Sequence, residues 1–212
     1  MVKSSNFNSD VYYVGVNAGT LGFLQEIDYH QSSDFVNRLN QNDFKTDEIG
    51  IQETIVVTKD TINKFNTLNE IIIKRADSKT ANIKVYIDND FLEKFSGDGL
   101  LISTSTGSTA HNLSYHGSIV YNLFHSLQIT PVGPINNSSY KCLSNSVILP
   151  ENLKVIMIPE NGSKNLLILY DGECIEYNDV EKIETSVRNK KIKCLRMNEY
   201  NYPKIINDKF LK

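Results

Sequence analysis

From about Thr46 to about Leu195 the sequence is a succession of short apolar runs broken by turn residues, and this pattern restricts the fold more than any other feature. The runs are Ile51 to Lys59, Leu68 to Lys74, Ile83 to Ile87, Phe91 to Phe95, Leu153 to Ile158, Leu166 to Tyr170, Cys174 to Tyr177, Ile183 to Val187 and Ile192 to Leu195. Where the alternation is clearest, Ile83, Val85 and Ile87 are interleaved with Lys84 and Tyr86. A period of two with one apolar and one wet face specifies antiparallel sheet. Asp88-Asn89-Asp90, Asn161-Gly162, Asp171-Gly172 and Asn178-Asp179 separate the runs and read as hairpin turns. The predicted fold is α+β and predominantly β, an antiparallel two-sheet β-sandwich. Inside it only the stretches near Thr109 to Ser114 and Val120 to Leu127 are compatible with helix.

The N-terminal part follows a different pattern. Val11 to Val16 is a short apolar run that enters the Gly-rich turn Asn17-Ala18-Gly19-Thr20-Leu21-Gly22. Ser32 and Ser33 are placed to cap a short helix whose Phe35 and Leu39 share a face. Parallel α/β units come in repeats, and this opening strand is followed by no second unit of its kind. It reads as the last strand of a truncated α/β domain. The expected division is residues 1–45 as that remnant with a linking helix, 46–195 as the β-sandwich, and 196–212 as a C-terminal return segment.

Charge and composition exclude several functions. Across 212 residues Lys+Arg number 22 against 25 Asp+Glu, a net charge of −3, so no basic excess marks a nucleic-acid partner. No apolar run approaches the roughly 20 residues that cross a bilayer. Cys142, Cys174 and Cys194 are odd in number, widely spaced and form no Cys-x-x-Cys pair, which fits a reducing cytoplasm rather than a disulfide or zinc framework. His111 and His116 lack zincin spacing, and no residue is nominated as a metal ligand. The dinucleotide Gly-x-Gly-x-x-Gly fingerprint, the P-loop and the Gly-x-Ser-x-Gly elbow are all absent.

The densest polar cluster runs from Gly97 to Ser114, where an apolar strand enters a turn rich in hydroxyls with Ser108 or Thr109 at the cap of a short helix. Such a turn can offer backbone N–H groups and side-chain oxygens to an oxygen-rich ligand; an ordinary Ser/Thr capping turn has the same composition. Asp98, just before the strand, is an acceptor of the kind that takes ribose hydroxyls. Asn69 and Glu70 place an amide and a carboxylate at the entrance of Ile71-Ile72-Ile73.

Five blocks together resemble the NAD kinase family. They are Gly15 to Leu24, Leu68-Asn69-Glu70, Asp98 to Thr104 with Thr106 to Ala110, Leu127 to Pro131, and Tyr170-Asp171-Gly172. The resemblance implies transfer of a phosphoryl group from ATP or polyphosphate to the 2'-hydroxyl of the adenosine ribose of NAD, with Mg²⁺ or another divalent cation accompanying ATP, in a cytoplasmic homodimer or homotetramer. It implies that Asn69 and Glu70 contact the nicotinamide-side or adenine-side groups of NAD. Asp98 would face the nicotinamide portion, across a subunit boundary. Thr109, Ala110, His111 and Ser114 would line the adenosine pocket, with Gly133 near the bound nucleotide and Asp171 in the family's late Asp-Gly motif. The family's Gly-Gly-Asp-Gly, which carries its proposed catalytic base and cradles the donor phosphates, is absent from these residues, so no catalytic residue is assigned. His111 stands where Tyr is usual, Ser96 where a basic residue is common, and Glu173 where Gln is usual. The chain is therefore expected to bind NAD better than it catalyses. Two alternatives accompany this reading: a non-catalytic dinucleotide-binding or sensing module, and a lipid kinase of the same superfamily.

Overall fold

A computed structural model describes residues 8, 10–17, 23–28, 30, 32–138 and 141–212. Positions 18–22 of the Gly-rich turn lie outside them. In chain order the elements are β1 (Tyr12–Tyr13), β2 (Gly15–Asn17), β3 (Gln25–Asp28), α1 (Ser32–Asn40), β4 (Lys45–Ile49), β5 (Gln52–Thr58), β6 (Ile62–Thr67), β7 (Glu70–Arg75), β8 (Ala81–Ile87) and β9 (Asp90–Thr104). A 3-10 turn (Thr106–Thr109) leads into α2 (His111–Ser114). Then follow β10 (Ser126–Pro134), β11 (Val147–Pro150), β12 (Val155–Pro159), β13 (Leu166–Tyr170), β14 (Glu173–Tyr177), β15 (Val180–Val187), β16 (Ile192–Arg196) and α3 (Tyr202–Phe210).

Eleven strands form one antiparallel sheet in the order β14-β13-β7-β9-β8-β12-β15-β5-β6, with β10 on β9 and β11 on β10. The sheet curls until its two halves face each other. Val56 on β5, Ile71 and Ile73 on β7, Phe95 and Leu100 on β9, Met157 on β12 and Ile168 on β13 belong to one buried cluster. The rings of Phe65 and Tyr170 meet at 4.5 Å although β6 and β13 lie towards opposite ends of the strand order. These two facing halves are the layers of the expected sandwich. Its core is a single apolar interior, each fully buried Ile or Leu contributing about 1.5–3 kcal/mol by leaving water.

The fifteen-residue strand β9 organises this sheet. Its first half pairs with β8, from Ile87↔Asp90 to Ala81↔Gly97. Its second half lies between β7, from Lys74↔Gly99 to Glu70↔Ser103, and β10, from Pro134↔Gly97 to Leu127↔Thr104.

The chain's beginning has parallel partners. β1 pairs in parallel with β16, which pairs antiparallel with β4, and β2 pairs in parallel with β3. What reads in sequence as one strand, Val11 to Val16, is two short ones, β1 and β2. Arg196 at the end of β16 is buried, its Nε 3.2 Å from Asp47 Oδ2 and its Nη1 donating to Leu24 O at 2.8 Å.

One further sequence expectation is corrected. Val120 to Leu127 is not helical: residues 120–125 are irregular and β10 begins at Ser126. Leu127 and Ile129 point into the sheet core with period two, while Leu123 and Phe124 stay exposed, so no helical apolar face forms. The C-terminal segment contains a nine-residue helix, α3, whose N-terminus is capped by the Asn201 side chain accepting from Lys204 N at 3.0 Å, with a Pro in its first turn. The strands β3, β4, β6 and β11 were also not anticipated.

Candidate functional site

Alternation places one set of residues inside the curled sheet and another on its outer face. On β7, Ile71 and Ile73 face the core, so Glu70, Ile72 and Lys74 face out; on β9, Leu100 and Ile102 face in, so Leu101 and Ser103 face out. The register sets Glu70, Ser103 and Gln128 abreast across β7, β9 and β10. Below that polar row, Ile72, Leu101 and Val132 form a buried apolar patch with Leu169 and Tyr115. The segment from the 3-10 turn to Tyr115 covers this face.

A set of hydrogen bonds fixes the entrance to β7. The Asp171 carboxylate accepts from Leu68 N at 2.6 Å and from Asn69 N at 2.8 Å. Asp171 and Gly172 both have positive φ, +43° and +87°, as a two-residue hairpin between β13 and β14 requires. On the other side Thr104 N donates to Asn69 O at 2.8 Å and Thr104 Oγ1 donates to Leu68 O at 2.6 Å. Gly107 N donates to Thr104 Oγ1 at 3.1 Å. Any side chain at Gly107 would collide with this backbone, since a Cβ there would stand 2.0 Å from Asn69 O.

The hydroxyls of the turn are largely taken up internally. Ser108 Oγ donates to Ser105 O at 2.6 Å and accepts from Val120 N at 3.0 Å, and Ser105 Oγ donates to Phe124 O. Beneath α2, buried Asn112 accepts from Thr130 Oγ1 at 2.6 Å and donates to Gln128 Oε1 at 3.1 Å, while Gln128 Oε1 also accepts from Ser118 N at 2.8 Å. These groups hold the turn and α2 on the sheet. Thr104, Gly107, Ser108, Asn112, Gln128 and Thr130 were not singled out from sequence as supports. The available signal was Gln128 and Thr130, two polar residues with period two inside the apolar run Leu127 to Val132.

Several groups remain available to a ligand. Half-buried Asn69 has no side-chain hydrogen-bond partner among the described residues. Glu70 is 4% exposed; His111 Nδ1 lies 3.3 Å from its Oε1, and its Oε2 is buried without a partner among the described residues. Burial pushes the Glu70 carboxyl up to about 8, and the Asp171 charge adds to the rise. His111 is itself exposed and opens α2, with exposed Ser114 three residues on along the same helix. Thr109 and Ala110 are half-buried at the junction of the 3-10 turn and α2, Thr109 Oγ1 donating to Thr106 O at 3.3 Å.

Asn69, Glu70, His111 and Asp171 are therefore joined by direct contacts, with Thr109, Ala110 and Ser114 on the adjoining segment. Asp98 and Gly133 form a separate pair. Gly133 has φ +54°, and a Cβ on it would stand 2.5 Å from Asp98 Oδ2. Asp98 is exposed and lies five residues from Ser103 on β9, about 17 Å at the rise of an extended strand. Within one chain the two groups do not meet.

Comparison with known proteins agrees with this architecture. Residues 68–196 match the family model of the ATP-NAD kinase C-terminal domain. The chain is 33% identical over 208 residues to NAD kinase of Finegoldia magna, covering 96% of this chain and 76% of the relative. It is 31% identical over 211 residues to NAD kinase 2 of Bacillus subtilis, covering 99% and 78%. Among solved structures it resembles yeast NADH kinase complexed with NADH, with 26% identity and a TM-score of 0.78, over 91% of this chain and 56% of that one. An NAD kinase from Archaeoglobus fulgidus in complex with ATP shares the fold at 16% identity and a TM-score of 0.69, over 88% and 69%. This chain thus spans little more than half the length of the yeast enzyme. Fold and matched region define a nucleotide-binding domain of a kinase. The chain belongs to the NAD kinase family, whose C-terminal domain it carries.

Proposed function

We propose that this chain supplies the NAD pocket of an enzyme that transfers a phosphoryl group from ATP or polyphosphate to the 2'-hydroxyl of the adenosine ribose of NAD, giving NADP. The observation that carries the reading is the clasp by which Asp171 and Thr104 fix Leu68 and Asn69 beside buried Glu70, which exposed His111 meets from α2. It fixes the backbone that carries the Asn69 amide and the Glu70 carboxyl before any ligand arrives, which lowers the ordering cost of binding. Asn69, Glu70, Thr109, Ala110, His111 and Ser114 are assigned to the dinucleotide, with Asp171 as the group that positions Asn69. Asp98 and Gly133 are assigned to a second contact region, reached from a neighbouring copy of the chain in a cytoplasmic homo-oligomer.

Phosphoryl transfer requires an in-line hydroxyl, a base and charge neutralisation on the donor. None of the 212 residues is assigned as the base, since Gly-Gly-Asp-Gly, to which the resemblance ascribes it, does not occur among them. Among the described residues no group of three His, Cys, Asp or Glu side chains could hold a metal. Mg²⁺ therefore enters the proposal only as the counter-ion carried by ATP, and no step is routed through it. Likewise, among the described residues no helix is long and apolar enough to cross a membrane.

Calorimetric titration of the chain with NAD tests the reading. Saturable binding is expected, with at least a tenfold loss in Glu70→Ala. The same chain with ATP and Mg²⁺ should form NADP at or near background. Equal NAD affinity in wild type and Glu70→Ala would remove the pocket assignment, and robust NADP formation would place the missing base within these residues.

A further inference from the structure

The two oxygens of Glu70 have different surroundings: Oε1 faces His111 Nδ1 at 3.3 Å, and Oε2 is buried with no partner among the described residues. A buried carboxylate oxygen with no donor is costly when ionised, and the same oxygen carrying a proton becomes a donor awaiting an acceptor. The charged and titratable groups around it are few. From β13 and its hairpin comes Asp171, an acid already bonded to Leu68 N and Asn69 N. From α2 comes His111. β9 presents Ser103 and Leu101, neither of which ionises near neutrality. On β7 itself Lys74 lies four residues on, with its ammonium 5.8 Å from the centre of the Tyr115 ring. Thus among the described residues no fixed cation offsets an anionic Glu70, and Asp171 repels it.

We propose that Glu70 meets the bound dinucleotide as a neutral acid, donating Oε2–H to an acceptor atom of the ligand while His111 Nδ1–H donates to Oε1, so that dinucleotide affinity is lost as Glu70 ionises in alkaline solution. This deepens the reading given above and rests on it. The direction follows from the geometry: ionisation removes the only hydrogen that Glu70 can donate and sets a charge against the ligand's acceptor atom. The carboxyl, raised to about 8 in the free chain, is held higher still once the ligand accepts its proton.

The experiment is a series of calorimetric NAD titrations between about pH 6.5 and about pH 9.5, where the charge on NAD itself is constant, using the 212-residue chain, Glu70→Gln and His111→Phe. Wild type should keep a steady affinity on the neutral side and weaken towards tenfold per pH unit once past the midpoint. Glu70→Gln, which retains an N–H donor but cannot ionise, should bind within a few-fold of wild type at neutral pH and show no alkaline fall. His111→Phe removes a donor that stabilises the carboxylate, so its alkaline fall should begin at higher pH. A flat wild-type profile, or a Glu70→Gln variant that has lost its neutral-pH affinity while remaining folded by circular dichroism, would show that Glu70 acts as an ionised acceptor and would overturn the inference. Absence of NAD binding by wild type at every pH would instead remove the proposed function beneath it.

Discussion

At Gly107 a hydrogen in place of a side chain determines whether the turn can close. A methyl group there would meet the Asn69 carbonyl, and neither backbone segment can yield because Thr104 and Asp171 hold the other side. Gly107→Ala should therefore lower stability by about 1–3 kcal/mol or more, read by urea denaturation, and should weaken NAD binding by displacing Asn69. Asp171→Ala should cost about 1–3 kcal/mol, because it leaves Leu68 N and Asn69 N without their acceptor. It also removes the negative charge that helps raise Glu70, so the Glu70 titration, followed by carbon-detected NMR, should move down towards ordinary values. Unchanged stability in Asp171→Ala would mean that solvent replaces the carboxylate at no cost.

The elements show why some of this was legible from sequence and some was not. β8 follows its hydrophobic alternation closely, because Ala81, Ile83 and Val85 lie in the core, and β13 was legible as a short continuous apolar run bounded by turn residues. In β10 the outward residues Gln128 and Thr130 are polar yet buried, satisfied by Asn112 from α2, so the run lost its strand signature and was extended into a helix-compatible stretch. Edge strand β6, Ile-Asn-Lys-Phe-Asn-Thr, is polar enough to pass for loop. The Asp98 and Ser103 blocks are close in sequence, and an extended strand carries them apart in space, which no motif spacing reveals. The buried polar layer between α2 and β10 gives its own prediction. Asn112→Ala should destabilise by about 1–3 kcal/mol by removing the acceptor of Thr130 Oγ1 and one of the donors to Gln128 Oε1, and Tyr202→Phe by about 1 kcal/mol through loss of its bond to Val120 O. Thermal melts of each variant check both.

For the molecule as a whole, Glu70 makes stability depend on pH with a definite sign. Its folded midpoint of about 8 lies above the roughly 4.3 of an unfolded glutamate. Between those values the folded state holds the extra proton, so stability falls as pH rises and levels off above the folded midpoint. Relative to Glu70→Gln, wild type should lose stability by up to about 1.4 kcal/mol per pH unit across that window, followed by chemical denaturation at fixed pH values. A difference that stays constant from about pH 5 to about pH 8 would show that the carboxyl titrates normally. The strand β9 has a broader consequence. It is hydrogen-bonded to β8 along its first half and to β7 and β10 along its second. A slip of one position would turn Leu100 and Ile102 outward and Ser103 inward on every partner at once. Single-residue insertions or deletions between Gly97 and Thr104 should abolish soluble expression, whereas point substitutions at Ser103 or Asn69 leave the frame intact. Variation in what the pocket recognises is therefore expected through exchange of side chains, because the length of that stretch is locked by a neighbour on each side.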